Sequence, residues 1–504
     1  MGHTDVADVP RIVAALHDTY KKGVTRPLEW RRRQLHSLRS LLEDNLEPIS
    51  AALAEDLHKG KAEAAIAEVW DPLGQVAFMD QNLESLCDKE VLPTPIYQRP
   101  LSFEVWKEPF GVVTIIGPWN FPFSLVLNPL AGALAAGNTC VLKPSEVSVA
   151  SGRLLAELIP KYFDPSVVAV VTGGVEQTTA LLAEKVDNIM YTGGGVVGRI
   201  VMAAAAKNLT PVTLELGGKC PAYVDESADV QVAARRIIFG KSFNGGQACI
   251  APDHVFVHAK VRDSFLRHLK TEHDRLFPGD EKARRATSPP IVNDRHFQRV
   301  SRLLNDNHGG KVVLGGGTVE AERFVEFTVV LDPSPDSALM QEEIFAPILP
   351  VMTVASVDEA IALCGDRPTP LAAYVFQRDS AVCKKWLSEV ASGGACVNDC
   401  VFHIMNNEGG LAGKGESGMG SSRGRASFEA FTHRKIVGYQ LATFDPLAKY
   451  PPFEGVPVAL KMLVTGDFPG WMKPAFWGVV LSTTAALALF VSKHVSLSVS
   501  VSFH

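Results

Sequence analysis

The stretch NIMYTGGGVVGRIVMAAAAKNL, residues 188–209, decides how the fold is read. An apolar strand-like run leads into the glycines Gly193, Gly194, Gly195 and Gly198, and an alanine-rich helical run follows. Gly193, Gly195 and Gly198 form a G-x-G-x-x-G turn between strand and helix. Glycine lets the backbone come close to a phosphate, and the helix N-terminus favours its negative charge. A plain strand-to-helix turn fits the same letters, so the flanking sequence has to decide.

Upstream, VVTIIG (112–117), NTCVLKP (138–144) and VVAVVTGG (167–174) are further apolar strand runs, with helical text such as SGRLLAELIPKYF (151–163) between them. Strands alternating with helices at this spacing predict a parallel α/β sheet. Ligands of such sheets bind beyond the carboxyl ends of the strands. That places residues 117–120, 143–146 and 192–195 on one rim. Residues 11–90 read as helix-rich, and a second α/β region runs from about 220 to 419. No internal repeat is visible.

Three segments carry chemistry. PVTLELGGK (211–219) sets Glu215 between leucines. Glu215 stands where a dinucleotide fold puts its ribose-binding acid, but a carboxyl held among apolar groups has a raised pKa and suits a general base. The bland alternative is a structural acid paired with Lys219 or a backbone amide. FNGGQACIAPD (243–253) sets Cys249 in a small-residue loop whose backbone N–H groups can stabilise a thiolate, the reacting form. A lone cysteine is otherwise a small buried hydrophobe. In GPWNFP (117–122), Asn120 can donate to an oxyanion or, more blandly, cap a helix.

The 504 residues exceed one ordinary core and predict two or three domains. A net charge of -6 with 46% hydrophobic residues describes a globular chain without a broad basic face, which excludes nucleic acid as a partner. The cysteines at 87, 140, 220, 249, 364, 383, 396 and 400 lack a second tight cluster, so they read as reduced thiols and no metal site is expected. The N-terminus has neither the apolar core of a signal peptide nor a myristoylation motif. At the other end, PAFWGVVLSTTAALALFVS (474–492) is uncharged between Lys473 and Lys493, with Trp471 and Trp477 near one end. As a helix it is roughly 28 Å long, close to the ~30 Å hydrocarbon core. Residues 471–493 therefore read as a membrane-anchor helix behind a Pro-rich linker, 443–470, with the globular part facing the cytosol. Ser482, Thr483 and Thr484 speak against this and leave an apolar helix packed on the protein's own surface as the alternative.

GPWNFP, VLKPSE, YTGG with Gly198, LELGGK, FNGGQACIAPD and QEEIFAP occur in one order and spacing, and in this the chain resembles the aldehyde dehydrogenases over residues 10 to 440. RHF at 295–297 and ESGMG followed by SFEAFTHRK resemble the class-3 branch, which includes the fatty aldehyde dehydrogenases and has members with an apolar C-terminal anchor. The resemblance implies a Rossmann-like cofactor domain (1–90 and 110–215), an α/β catalytic domain (216–420), a small β oligomerisation arm (91–109 and 421–442) and a homodimer. It implies that Cys249 attacks the aldehyde, that Asn120 and the Cys249 N–H hold the oxyanion, and that Glu215 activates water against the thioester. Thr192, Gly193, Gly194, Gly195 and Gly198 then shape the cofactor turn, Glu343 holds the nicotinamide ribose and Phe345 packs near the nicotinamide. Lys143 and Glu146 meet the adenosine ribose, where the Glu146 carboxylate repels a 2′-phosphate, so NAD is favoured over NADP. The pattern departs at Ala346, where the family usually has Gly, and at His403-Ile404 near the expected substrate entrance. The expected substrate is a long-chain or otherwise apolar aldehyde, with an apocarotenoid or terpenoid aldehyde, or a CoA-acylating relative of the same chemistry, as alternatives.

Overall fold

The computed structural model describes residues 2–95, 98–365, 367–443, 445, 450–451 and 458–465. The expected anchor helix at 471–493 and most of the expected linker lie outside them. Within the linker, Val458–Thr465 is a helix, as its run of helix formers favours. Among the described residues no helix is long and apolar enough to cross a membrane.

The chain forms two compact units. In the larger one, a six-stranded sheet has the order Gly418–Met419, Val212–Glu215, Asn188–Thr192, Val112–Ile116, Thr139–Lys143, Val168–Val170. Five strands are parallel and only the two-residue edge Gly418–Met419 is antiparallel. The strands at 112, 139 and 188 are buried at every residue, because helices cover both faces, so they show no alternation of apolar and polar side chains. Strand order reverses at Val112–Ile116, whose two sides pair with the strands at 139 and 188. Such a switch point opens a crevice at the carboxyl ends.

The N-terminal helices Leu28–Asp44, Leu46–Leu57 and Asp71–Cys87 share one core with Ser124–Ala136. A second, seven-stranded sheet has the order Lys311–Leu314, Thr328–Leu331, Ile348–Val354, His254–His258, Pro221–Val224, Ala372–Phe376, Gly394–Val397. All its pairs are parallel except Lys311–Leu314 with Thr328–Leu331.

Among the described residues, the smaller unit comprises 89–106 and those from 434 to 465. Its strands belong to a three-stranded sheet of Glu90–Leu92, Ser102–Pro109 and Thr432–Tyr439, in that order. Residues 421–433 fall in the larger unit, where the helix Gly424–Ala430 buries Phe428 and Phe431 follows it into the core.

Candidate active site

A cavity of about 410 Å³ is lined by Asn120, Thr192, Gly193, Gly194, Glu215, Cys249, Glu343 and Phe345, together with Trp119, His296 and Arg299. Thr192 and Glu215 are register partners at the carboxyl ends of neighbouring parallel strands, which brings them to the same rim. Gly193 continues that rim by donating its N–H to the Glu215 carbonyl at 3.0 Å. Gly194 caps the helix Gly195–Ala206. A Cβ at Gly198 would lie 2.9 Å from Leu216, so that glycine serves helix-to-sheet packing. Lys143 is buried at the end of its strand, 3.6 Å from the half-exposed Glu146 carboxylate, and donates to the Pro144 carbonyl at 2.8 Å. Gly195, Gly198, Lys143 and Glu146 do not line the cavity itself.

The cysteine loop opens on the short 3-10 turn Phe243–Gly246. Asn244, Gly245 and Gly246 all adopt positive φ, and a Cβ at Gly246 would lie 2.5 Å from the Ala346 carbonyl oxygen. Asn244 donates to the carbonyls of Asn120 (3.0 Å) and Gln247 (3.2 Å), and the Asn120 amide donates to the Gln247 carbonyl at 2.9 Å. Asn120 and the cysteine loop are therefore tied to each other. The helix Ser124–Ala136 takes no side-chain cap, so Asn120 is not its N-cap.

Electrostatics depart from the expectation at Cys249. Burial, with Glu343 and Glu215 nearby, pushes its thiol up to about 12, and the amides of Cys249 and Ile250 only partly oppose this. Sequence favoured a thiolate held by those amides; desolvation outweighs them, and a base has to take the proton. Three glutamates line the cavity, Glu215, Glu342 and Glu343, and burial raises two of them. Burial lifts Glu215 to about 8, against the lowering influence of the Ser422 hydroxyl and of Arg423. Ser422 Oγ donates to Glu215 Oε1 at 2.7 Å, whereas Oε2 has no protein partner. Lys219, the alternative partner of Glu215, is paired with Asp253 instead. Burial lifts Glu343 to about 7, opposed by the Gly218 N–H, which donates to Oε1 at 2.9 Å. Gly217 permits this approach, because a Cβ there would lie 2.3 Å from that oxygen.

Several residues that hold the site escaped the sequence reading. Lys59 and Glu68, both fully buried, form an ion pair. Lys59 also donates to the Asn120 carbonyl at 2.7 Å, while Glu68 accepts the N–H groups of Phe123 and Ser124 at 3.0 Å each. Arg299 donates to the carbonyls of Glu343 (2.9 Å) and Ile344 (2.7 Å), and Asp253 accepts the Ile344 N–H at 2.8 Å. Phe345, at φ 50, meets the Trp119 ring edge-on at 5.5 Å. For Lys59, Glu68 and Arg299 the only local signal was charge in or beside a helical pattern, which a solvated face also produces.

A model of the aldehyde dehydrogenase family matches residues 1–437. Rat aldehyde dehydrogenase family 3 member A2 is 43% identical, over 88% of this chain and 91% of its own. Mouse "aldehyde dehydrogenase, dimeric NADP-preferring" is also 43% identical, over 89% and 98%. Among solved structures, the substrate-bound state of Staphylococcus aureus AldH superposes with a TM-score of 0.87 at 37% identity, covering 90% of this chain and 99% of that one.

Proposed function

The chain belongs to the aldehyde dehydrogenase family, and on that premise we propose that it oxidises an apolar aldehyde to the carboxylic acid, with NAD or NADP as oxidant, through a thioester on Cys249. The observation that carries this is the meeting of Cys249, Glu215, Asn120 and Glu343 in one cavity with the Gly193 turn. The residues suit a dinucleotide: a glycine turn opens onto a helix N-terminus, Glu343 lines the cavity as a partner for a ribose hydroxyl, and Glu146 stands outside the cavity beside Lys143. When bound, the nicotinamide supplies the hydride acceptor. Cys249 adds to the aldehyde carbon once its proton has left. The resulting oxyanion is met by the Cys249 N–H and by one hydrogen of the Asn120 amide nitrogen, whose other hydrogen is donated to the Gln247 carbonyl. Glu215 later takes a proton from the water that releases the acid.

An apolar substrate is supported by a run of phenylalanine rings beginning next to Asn120. Phe121 stacks on Phe243 (5.7 Å), Phe243 meets Phe239 (6.1 Å) and Phe239 stacks on Phe402 (6.0 Å), the last two being exposed. The uncharged run at 474–492 supports a membrane-held enzyme reaching such substrates from the cytosolic side. The Glu146 carboxylate supports NAD over NADP, and the small three-stranded sheet supports a homodimer built through an arm.

Replacing Cys249 with Ala is expected to abolish aldehyde-dependent NADH formation while leaving cofactor binding intact; NADH formation by the variant would overturn the reading. Initial rates on hexadecanal, a carotenoid-derived aldehyde and benzaldehyde test the substrate class, and fast turnover of short aldehydes alone would remove the lipid reading. A thioester product on adding coenzyme A would instead mark an acylating enzyme.

A further inference from the structure

A second chamber, of about 30 Å³, shares Glu215 and Cys249 with the large cavity and adds Asn128, Ser422 and Arg423 to them. Much of the rest of its wall is apolar, with Met190 and Leu371. We propose that this chamber seats the water that attacks the acyl–Cys249 thioester, and that Asn128, Ser422 and Arg423 position that water and its base. The inference rests on the thioester chemistry proposed above.

Hydrogen-bond accounting carries it. Buried polar atoms are almost always paired. Two acceptors on the chamber's residues are not: Glu215 Oε2 and Asn128 Oδ1, both buried and without a protein partner. One water has two O–H donors, the chamber is wide enough for it, and polar partners are what keep a water in a buried site. With both hydrogens donated, the oxygen lone pairs remain for the acyl carbon on Cys249.

The orientation of both acceptors is fixed from behind. Asn128 Nδ2 donates to Asp71 Oδ2 at 2.8 Å, which holds the amide with its oxygen facing the other way. Asp71 is in turn ion-paired with Arg423, whose Nε donates to the Ile404 carbonyl at 3.1 Å. Ser422 occupies Glu215 Oε1 and leaves Oε2 as the free end. In the step, the water oxygen bonds to the acyl carbon, one water proton passes to Glu215 Oε2 and the carbon–sulfur bond breaks. The leaving sulfur takes that proton back from Glu215, so thiol and carboxylate are both regenerated.

The charged and titratable groups facing Glu215 are Arg423, from the segment after the strand Ser421–Ser422, and Cys249, from the loop before His254–His258, with Asp71 behind Arg423. Removing the Ser422 hydroxyl takes away a hydrogen bond to the ionised form and raises the pH at which Glu215 can act.

The test is a stopped-flow record of NADH formation from hexanal by the full chain, from about pH 6 to about pH 10. Asn128→Leu should keep the first-turnover burst and lower the steady-state rate about 10-fold or more, as expected when the attacking water loses one of the two acceptors that orient it. Ser422→Ala should move the acid limb of the steady-state rate upward by about one pH unit, and Ser422→Thr should restore it. An unchanged burst-to-steady-state ratio in Asn128→Leu together with an unmoved limb in Ser422→Ala would overturn the proposal while the burst itself upheld the thioester. Absence of NADH formation from any aldehyde in the unmodified chain would bring down both.

Discussion

Glu215 shows how much one residue's surroundings decide. Its carboxyl titrates near 8 because burial costs the charged form more than Ser422 and Arg423 return. Below that pH the group is protonated and cannot accept a proton from water; above it the group is ionised and can. The deacylation rate is therefore expected to rise with pH through about 8, and a rate already flat from pH 6 upward would contradict the assignment of Glu215 as base. Glu146 offers a second residue-level expectation. Its half-exposed carboxylate stands beside Lys143, and replacing it with Ser removes a charge that, in the proposed cofactor site, would repel a 2′-phosphate. Glu146→Ser should raise kcat/KM for NADP relative to NAD by about 10-fold, on the order of one charge contact, in paired steady-state assays.

Among elements, the N-terminal helices matter beyond their packing. The short helix Lys61–Ala64 and the turns of helix after it carry Glu68 to the start of Ser124–Ala136, where it accepts two of the N–H groups that a helix start leaves unsatisfied. Lys59 neutralises it and reaches the Asn120 carbonyl. Lys59→Met leaves a buried carboxylate without its partner, a loss of about 3–5 kcal/mol. Urea denaturation is expected to show that loss, and kcat should fall with it because Asn120 loses its backbone anchor. A stability unchanged within about 0.5 kcal/mol would mean that the pair does not hold this corner. The loop 341–346 is held in a comparable way, with Arg299 and Asp253 gripping its backbone so that Glu343 and Phe345 face the cavity.

For the whole molecule, the sequence-level order of strands and helices and the two-sheet α/β architecture agree, because buried parallel strands write themselves as unbroken apolar runs. At this scale the proposed membrane association is tested through the uncharged run at 474–492. The full chain is expected to float with phospholipid vesicles in a density gradient, and a chain ending at residue 465 to remain in the aqueous fraction with the same kcat on a short aldehyde. Flotation of both, or of neither, would contradict anchoring by the tail.

Taken by itself, the sequence determined which residues could do chemistry and in what order the scaffold presents them. Glycine turns, a cysteine in a small-residue loop and an acid in an apolar strand are local requirements of the backbone, so they are written in consecutive letters. Only the tertiary structure decided how those residues are tuned. The thiol of Cys249 lies far above its usual range, Glu215 is tied to Ser422 and Asn120 hangs on Lys59. Ionisation follows burial and the charges nearby, and here those come from segments far apart in the chain, such as Arg423 and Asp71 in their ion pair. No spacing rule connects such partners before folding brings them together.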